Sequence, residues 1–312
     1  MKTDTSTSAA APALTLGPVL FNWKPDVWRD FYFRIADEAP VDTVTVGEAI
    51  CSKRAPFFVP LFDEVRERLT RAGKQVVFAT LSETVLKLDR NLIESICSME
   101  GVTIEANDAA ALAYLRGKPH RIGPLFNTYN EEALRVLAAR GATHVCAPVE
   151  LPGTSLARLC EAGRALGVGV EAQVFGRQGL ALSARCYHAR AHGRTKDSCQ
   201  FVCENDPDGL DLTTLDGKPI LTVNGIQTLS YDYLNLIAEV PALAAMGLSA
   251  LRLSPHSCDM VAVAHAFRGV LDGTLPVDEA AAKLDALALA APYSNGFFHG
   301  RPGYTYATAA RH

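Results

Sequence analysis

The order of apolar runs and amphipathic stretches predicts an α/β chain, and specifically a TIM-like (β/α)8 barrel with a cysteine-bearing insertion between strand 7 and its following helix. Three observations carry this. Eight short apolar runs alternate with stretches whose apolar residues recur at helical spacing. Several of those stretches end in glycine just before the next run, at Gly73, Gly101, Gly141, Gly167 and Gly247, where a helix C-terminus wants left-handed backbone. And 312 residues suffice for one large domain with a buried core. An open doubly wound sheet fits the same alternation.

The first strand is read over Leu14 to Phe21, followed by the helix PDVWRDFYFRIADEA, in which proline opens the first turn. Thr43 to Gly47 is the second strand, and VPLFDEVRERLTRAG the helix beyond it. Strands follow at Gln75 to Thr80, Val102 to Glu105, His120 to Phe126 and His144 to Pro148. The helices TVLKLDRNLIESICSM, AAALAYLRG, NEEALRVLAARG and SLARLCEAGRALG stand between and after them. Val168 to Phe175 is the seventh strand and Leu251 to Leu253 the eighth. Residues 183–230 form the insertion, where Asp-Gly and Asn-Gly within PDGLDLTTLDGKPILTVNGIQTLS predict a small hairpin beside the cysteines. Residues 1–12 read as a disordered leader, without the charged and apolar regions of an export signal, and 13–312 as a single domain.

Composition narrows the function. A net charge of −4 offers no electrostatic case for nucleic acid, which also weighs against RNA modification. No window approaches the roughly 20 apolar residues that cross a bilayer. Eight scattered cysteines are too few for a disulfide scaffold, so a reducing, cytoplasmic setting is expected. No Ser-His-Asp order with a nucleophile elbow, H-E-x-x-H or Walker loop supports hydrolysis or phosphoryl transfer.

The stretch EAQVFGRQGLALSARCYHARAHGRTKDSCQFVCEND, Glu171 to Asp206, departs from the repetitive pattern. It carries Cys186, Cys199 and Cys203. The last two stand four apart and would share one face if SCQFVC makes a helical turn. His188, Arg190, His192, Arg194 and Lys196 crowd the excursion between, and cations favour the thiolate that binds metal. Three cysteines are one short of a closed four-thiolate site; Cys51, in the polar turn GEAICSKR beside Lys53 and Arg54, is the best fourth. Zinc and unrelated free thiols are the rival readings, although the spacing matches no paired zinc ribbon. Cys97, Cys146 and Cys160 read as small core residues and Cys258 as an alternative ligand ranked below Cys51.

A barrel reacts at the C-terminal ends of its strands, which here carry Asn22, Glu48, Glu105, Asn107, Asn127, Tyr129, Asn130, Glu150, Gln173, Arg252 and His256. For each, a cap or loop hydrogen bond is the plainer role; Asn107 and Asp108 suit a helix start. Glu48 and Glu150 follow apolar strands, and Arg252 inside one is their natural partner, in substrate binding or in structural ion pairs. Glu48, Asn127, Glu150 and Arg252 are the substrate-binding candidates.

The run from Glu171 through Gly176 and Ser183-Ala184-Arg185-Cys186 to Cys199 and Cys203 resembles the signature of the collagenase-like, U32 peptidase family. LGPVLFNW, GEAICSKR, IEAND, FNTYN, PVELP, LALSARCYHAR, KDSC, VNGIQTLS and LRLSPHS extend the likeness from Leu16 to Ser257. They resemble above all its UbiV-type branch, the smaller subunits of the oxygen-independent ubiquinone-biosynthesis hydroxylase. The resemblance implies a TIM-like fold and a [4Fe–4S] cluster on Cys51, Cys186, Cys199 and Cys203. It implies a UbiU-like subunit as heterodimer partner, hydroxylation of ubiquinone precursors without O2, and prephenate as oxygen donor. It leaves room for a lipid-binding accessory protein that presents the quinone precursor. A U32-type peptidase, or a non-catalytic subunit with a structural cluster, are the alternatives. The aromatic C-terminal run PYSNGFFHGRPGYTY, with Phe297, Phe298, Tyr304 and Tyr306, is expected to be either an exposed partner surface or a tail packed on its own barrel.

Overall fold

The computed structural model describes residues 11–307, so the leader read over 1–12 lies almost wholly outside the described residues. The first half of the chain runs β1 (Ala13–Leu16), α1 (Pro25–Glu38), β2 (Thr43–Val46), α2 (Ala55–Phe58), α3 (Phe62–Arg71), β3 (Gln75–Ala79), α4 (Lys87–Cys97), β4 (Thr103–Ala106), α5 (Ala109–Tyr114), β5 (His120–Ile122), α6 (Glu131–Ala139), β6 (Ala142–Ala147), α7 (Gly153–Leu166) and β7 (Gly169–Leu182). The insertion contributes α8 (Tyr187–Ala191), β8 (Leu210–Thr213), β9 (Pro219–Asn224) and β10 (Gln227–Asn235). The chain then returns through α9 (Val240–Met246), β11 (Ala250–Leu253), α10 (Met260–Leu271), α11 (Val277–Asp285) and β12 (Tyr293–Ser294).

Strands β1 to β7 pair in sequence order, and β11 pairs in parallel with both β1 and β7, which closes an eight-stranded parallel barrel. Such strands are covered on both faces, which is why they read as short apolar runs without alternation. Leu14, Leu16, Val44, Val46, Phe78 and Leu251 are all fully buried. The helices cover the outside, and α7 and α9 each stop at a left-handed glycine, Gly167 (φ 69°) and Gly247 (φ 88°), as the glycine punctuation requires.

Several boundaries differ from the sequence reading for local reasons. Gly17-Pro18 ends β1 at Leu16, well before Phe21, and Gly123-Pro124 turns the end of the fifth run into a 3-10 turn over Pro124–Phe126. Helix α4 starts at Lys87, because Asp89 takes the backbone N–H groups of Val85 (2.9 Å) and Leu86 (2.7 Å) from outside it. Strand β7 continues to Leu182 and carries the antiparallel sheet β10-β9-β8 beyond the barrel rim. The insertion therefore ends near Asn235 rather than Ser230. Helices α10 and α11 have no counterpart in the sequence reading.

The C-terminal run is folded onto the barrel, the second of its two readings, and is not an exposed four-residue aromatic patch. Strand β12 pairs with β10, Asn295 Nδ2 donates to Glu239 Oε1 (3.0 Å) and to the Ala307 carbonyl (2.9 Å), and Phe298 packs on Gly153 and the core. Phe297 and Phe298 are half-buried; Tyr304 and Tyr306 stay exposed.

Candidate metal centre and barrel mouth

Beyond β2, Gly47 (φ 127°) runs so close to Ala79 that a Cβ would sit 2.9 Å from its carbonyl oxygen. The chain can make that turn only as glycine. Glu48 Oε1 then accepts the N–H groups of Ile50 (2.7 Å) and Cys51 (2.9 Å), fixing the loop that carries Cys51. Cys186 caps α8, with Sγ accepting from the Ala189 N–H at 3.4 Å. Cys203 lies in a 3-10 turn, Val202–Asn205, and its carbonyl accepts from Asn224 Nδ2 at 3.2 Å.

These three cysteines and Cys199 come from two segments far apart in the chain, yet Cys51, Cys186, Cys199 and Cys203 line one cavity with an empty volume of about 350 Å³. The cations that line it are Lys53, Arg54 and Lys196; of the arginines of the excursion, Arg194 reaches the Cys199 carbonyl at 3.3 Å without lining the cavity. Lys53 Nζ lies 3.9 Å from Cys199 Sγ and donates to the carbonyls of Lys196 (2.7 Å) and Asp197 (3.2 Å). Arg54 is fully buried and donates to Asn224 Oδ1 at 2.7 Å and the Leu20 carbonyl at 3.3 Å. Phe57 and Phe201 meet edge to face over the segment, ring centroids 4.9 Å apart.

Two expectations about the thiols change. Gln200 (φ 48°) and Phe201 (φ 54°) are both left-handed, so Cys199 and Cys203 are joined by a reversal and not by a helical turn. Burial also outweighs the cations at two thiols. It pushes Cys51 up despite Arg54, and it pushes Cys186 up despite the Ala189 N–H. Arg54 itself is held above its ordinary value, because Cys203, Glu48 and Cys51 outweigh the burial that opposes its charge. Cys97 and Cys160, each pushed by burial to about 11, pack in the main core, and Cys146 is buried in the barrel. Cys258, pushed to about 12, packs against that core and does not line the four-cysteine cavity.

The mouth of the barrel is a second cavity, with an empty volume of about 610 Å³, lined among others by Glu105, Asn107, Asn127, Glu150, Gln173 and Arg252. Three of the four substrate candidates meet there. Glu48 does not. Nor is Arg252 the partner of Glu48 or Glu150: its Nη2 binds Glu105 and Glu171 (3.1 Å to Glu171 Oε2), and its Nη1 lies 3.3 Å from Glu105 Oε1. A barrel position fixes that a side chain points inward, but its partners come from the strands around it, here Glu171 on the neighbouring β7 and Glu105 on β4 across the interior. Glu150 accepts instead from Tyr129 Oη at 3.3 Å. Asn107 Nδ2 donates to the Thr80 carbonyl (3.2 Å), while Asp108 caps α5, so only one of that pair opens a helix. Asn130 caps α6, Asn22 is buried away from both cavities, and His256 Nε2 accepts the Arg177 N–H at 2.9 Å.

Glu171, Arg177 and Arg54 are the polar residues that the sequence reading did not single out as candidates. Arg177 lines the mouth while donating to Thr222 Oγ1 (2.7 Å) and lying 4.8 Å from the Tyr233 ring centroid. The signal was present: a charge inside an apolar strand marked Arg252, and Glu171 in β7 carries the same mark.

Among the described residues none lines both cavities, but a small apolar cluster connects them. Leu20, Ala49 and Leu125 line the mouth and also pack in the small apolar cluster that contains Cys51, Cys186 and Cys199.

Compared with known proteins, the chain matches the profile of Peptidase family U32 over residues 32–308. Among solved structures it is similar to an enolase from Agrobacterium radiobacter (16% identity, TM-score 0.38, 52% of this chain and 45% of that one). It is also similar to part of a tryptophan synthase complex from Pyrococcus furiosus (12%, 0.43, 89% and 96%) and to a phospho-2-dehydro-3-deoxyheptonate aldolase from Thermotoga maritima (12%, 0.39, 91% and 72%). The chain spans less than half the length of the first of these. At such scores the likenesses carry no argument; the barrel rests on its own strand order.

Proposed function

The chain belongs to peptidase family U32, and from that premise we propose that it is the iron–sulfur subunit of a UbiU–UbiV-type heterodimer for O2-independent hydroxylation of ubiquinone precursors, with prephenate as oxygen donor. Cys51, Cys186, Cys199 and Cys203 would hold a [4Fe–4S] cluster. The observation that carries the reading is the convergence of those four thiols on one cavity, joined to the barrel mouth by a small apolar cluster.

The donor set fits such a group. A single tetrahedral zinc, with Zn–S near 2.3 Å, would draw its sulfurs to about 3.8 Å of one another. Among the described residues, the His, Cys, Asp or Glu ligand atoms gathered within 4.8 Å in threes are those of His188, His192 and Asp206, and none is a sulfur of this cavity. The wider spread suits a polynuclear cluster. Lys53, Arg54 and Lys196 would offset its negative charge, and Phe57 with Phe201 would limit water access. When bound, the cluster supplies one-electron chemistry whose potential hydrogen bonds and burial tune. Arg252, Arg177 and Asn127 at the mouth offer donors to an anionic or oxygen-rich substrate.

Anaerobically purified protein is expected to contain about four iron and four sulfide per chain, with a brown absorbance that bleaches on reduction. Alanine at Cys51, Cys186, Cys199 or Cys203 should remove the cluster, while Cys97→Ala and Cys160→Ala keep it. Stoichiometric zinc held by these thiols, without sulfide, would refute the reading.

A further inference from the structure

A second constellation joins α8 to the segment that follows Cys203, outside the lining of the four-cysteine cavity. His188 has no exposed side-chain surface, and its Nδ1 lies 3.1 Å from the Val223 carbonyl oxygen. A carbonyl only accepts, so Nδ1 carries the proton and the neutral ring presents its Nε2 lone pair. That lone pair faces Asp206 Oδ2 at 2.9 Å, and both atoms are buried with no hydrogen-bond partner. Two acceptors at this separation repel unless something positive joins them.

One proton would satisfy a histidine–aspartate pair, but a third group converges on the same point. His192, four residues on, stacks on His188 with ring centroids 5.4 Å apart and planes 19° from parallel. Its Nε2 lies 4.0 Å from the same Oδ2, and all three ligand atoms fall within 4.8 Å of one another. We propose that His188, His192 and Asp206 form a binding site for a divalent first-row transition-metal ion, zinc being the type case, separate from the four-cysteine cavity. Two imidazoles and a carboxylate are a donor set that zinc takes in open, water-completed sites. The hydrogen bond from His188 Nδ1 to Val223 is the supporting contact that orients a ligating histidine. His192 (36% exposed) and Asp206 (24%) leave the solvent side free for water.

The placement gives the ion a structural consequence. Helix α8 begins at Cys186, and Asp206 follows Cys203 by three residues. Asn224 Nδ2 already bonds the carbonyls of both Cys203 (3.2 Å) and Asp206 (3.0 Å). An ion bound there ties the arm bearing Cys186 to the arm bearing Cys203.

The test adds twofold zinc to the anaerobically purified full-length protein, removes excess, and measures zinc content and zinc X-ray absorption, with iron and sulfide determined on the same sample. The expected result is one zinc per chain in a nitrogen and oxygen shell at about 2.0–2.1 Å, whether or not the thiols hold iron. His192→Ala and Asp206→Asn should each lose that zinc, with affinity lowered by at least the roughly 100-fold that removing even a supporting group can cost. His192→Cys should keep it and add one sulfur at about 2.3 Å. Zinc held by sulfur alone in the unsubstituted protein, or held equally by the His192→Ala protein, overturns the site. Loss of iron and sulfide with this zinc retained would count against the cluster and leave the site standing.

Discussion

Arg252 sets the charge balance of the barrel interior, since its guanidinium stands between Glu105 and Glu171 with all three side chains at most 4% exposed. Thr15 Oγ1 donates to Glu171 as well. Burial works most strongly on the Glu171 carboxylate, but Arg252, Arg121 and Thr15 together outweigh it and hold the group below its ordinary 4.5. A carboxylate lowered on folding stabilises fully above that value, and the contribution is lost as pH falls through the folded value. Arg252→Met leaves two buried carboxylates without their cation, which costs about 3–5 kcal/mol at neutral pH. The folded value of Glu171 then rises, so the variant should gain stability on acidification where the parent loses it. Urea unfolding at neutral pH and just below 4.5 checks both signs; parallel profiles would count against this account. At this scale the sequence was half informative. Arg252 is legible as a charge in an apolar strand, but its partners are not, because Glu105 reaches it from β4 across the barrel and Glu171 from the neighbouring strand β7, 147 and 81 residues away along the chain.

The insertion shows how one element bears on the candidate centre. The turn joining β9 to β10 has Asn224 opposite Gln227, with Gly225 (φ 66°) at the first position of a two-residue loop that favours positive φ. A Cβ on Gly225 would meet Arg54 Nη2 at 2.5 Å, and the Gly225 carbonyl is where the Cys186 thiol donates, at 3.2 Å. Gly193 in the same insertion has the same φ but open space around it. Gly193→Ala should therefore lose only the left-handed backbone cost, about 1–2 kcal/mol. Gly225→Ala should lose more, because Arg54 must leave Asn224, and should shed iron faster in air. Thermal unfolding and iron release compared across the two variants isolate the Arg54 contact; equal behaviour would mean that contact is unimportant. The hairpins were legible because Asp216-Gly217 and Asn224-Gly225 are local turn chemistry. The extension of β7 was not, since Gly176, Arg177, Gln178 and Gly179 interrupt the apolar run, and their pairing with β10 is made about fifty residues later.

Across the whole molecule, closure of the barrel brings Cys51, beyond β2, to the segment beyond β7, although these strands are not neighbours in the sheet. The polar turn and the flanking Lys53 and Arg54 make Cys51 the best fourth candidate in the sequence, and the family resemblance implies the same four, but neither the turn nor the spacing shows how the chain brings them together. No helix among the described residues is long and apolar enough to cross a membrane. The folded C-terminal run leaves Tyr304 and Tyr306 as its exposed aromatics, so a partner would meet a smaller aromatic surface than the sequence suggests. The proposed role joins these scales in one prediction. Without O2 a ring hydroxylation needs another oxygen donor, the part proposed for prephenate, and an electron path, which a thiolate-held cluster near the barrel mouth would supply. Cells that depend on this route should then lose ubiquinone in anaerobic growth when Cys186 or Cys203 becomes alanine, and keep it in air if an oxygen-dependent hydroxylase is present. Cys186 Sγ also anchors α8 and Gly225, so its loss could unfold the insertion and mimic a redox defect. The soluble complex with the UbiU-like subunit must be measured beside the quinone. Intact complex with accumulated unhydroxylated precursor supports a redox cluster; intact complex with normal anaerobic ubiquinone defeats it; and loss of the complex, with quinone lost in step, assigns the cluster to holding the insertion in shape.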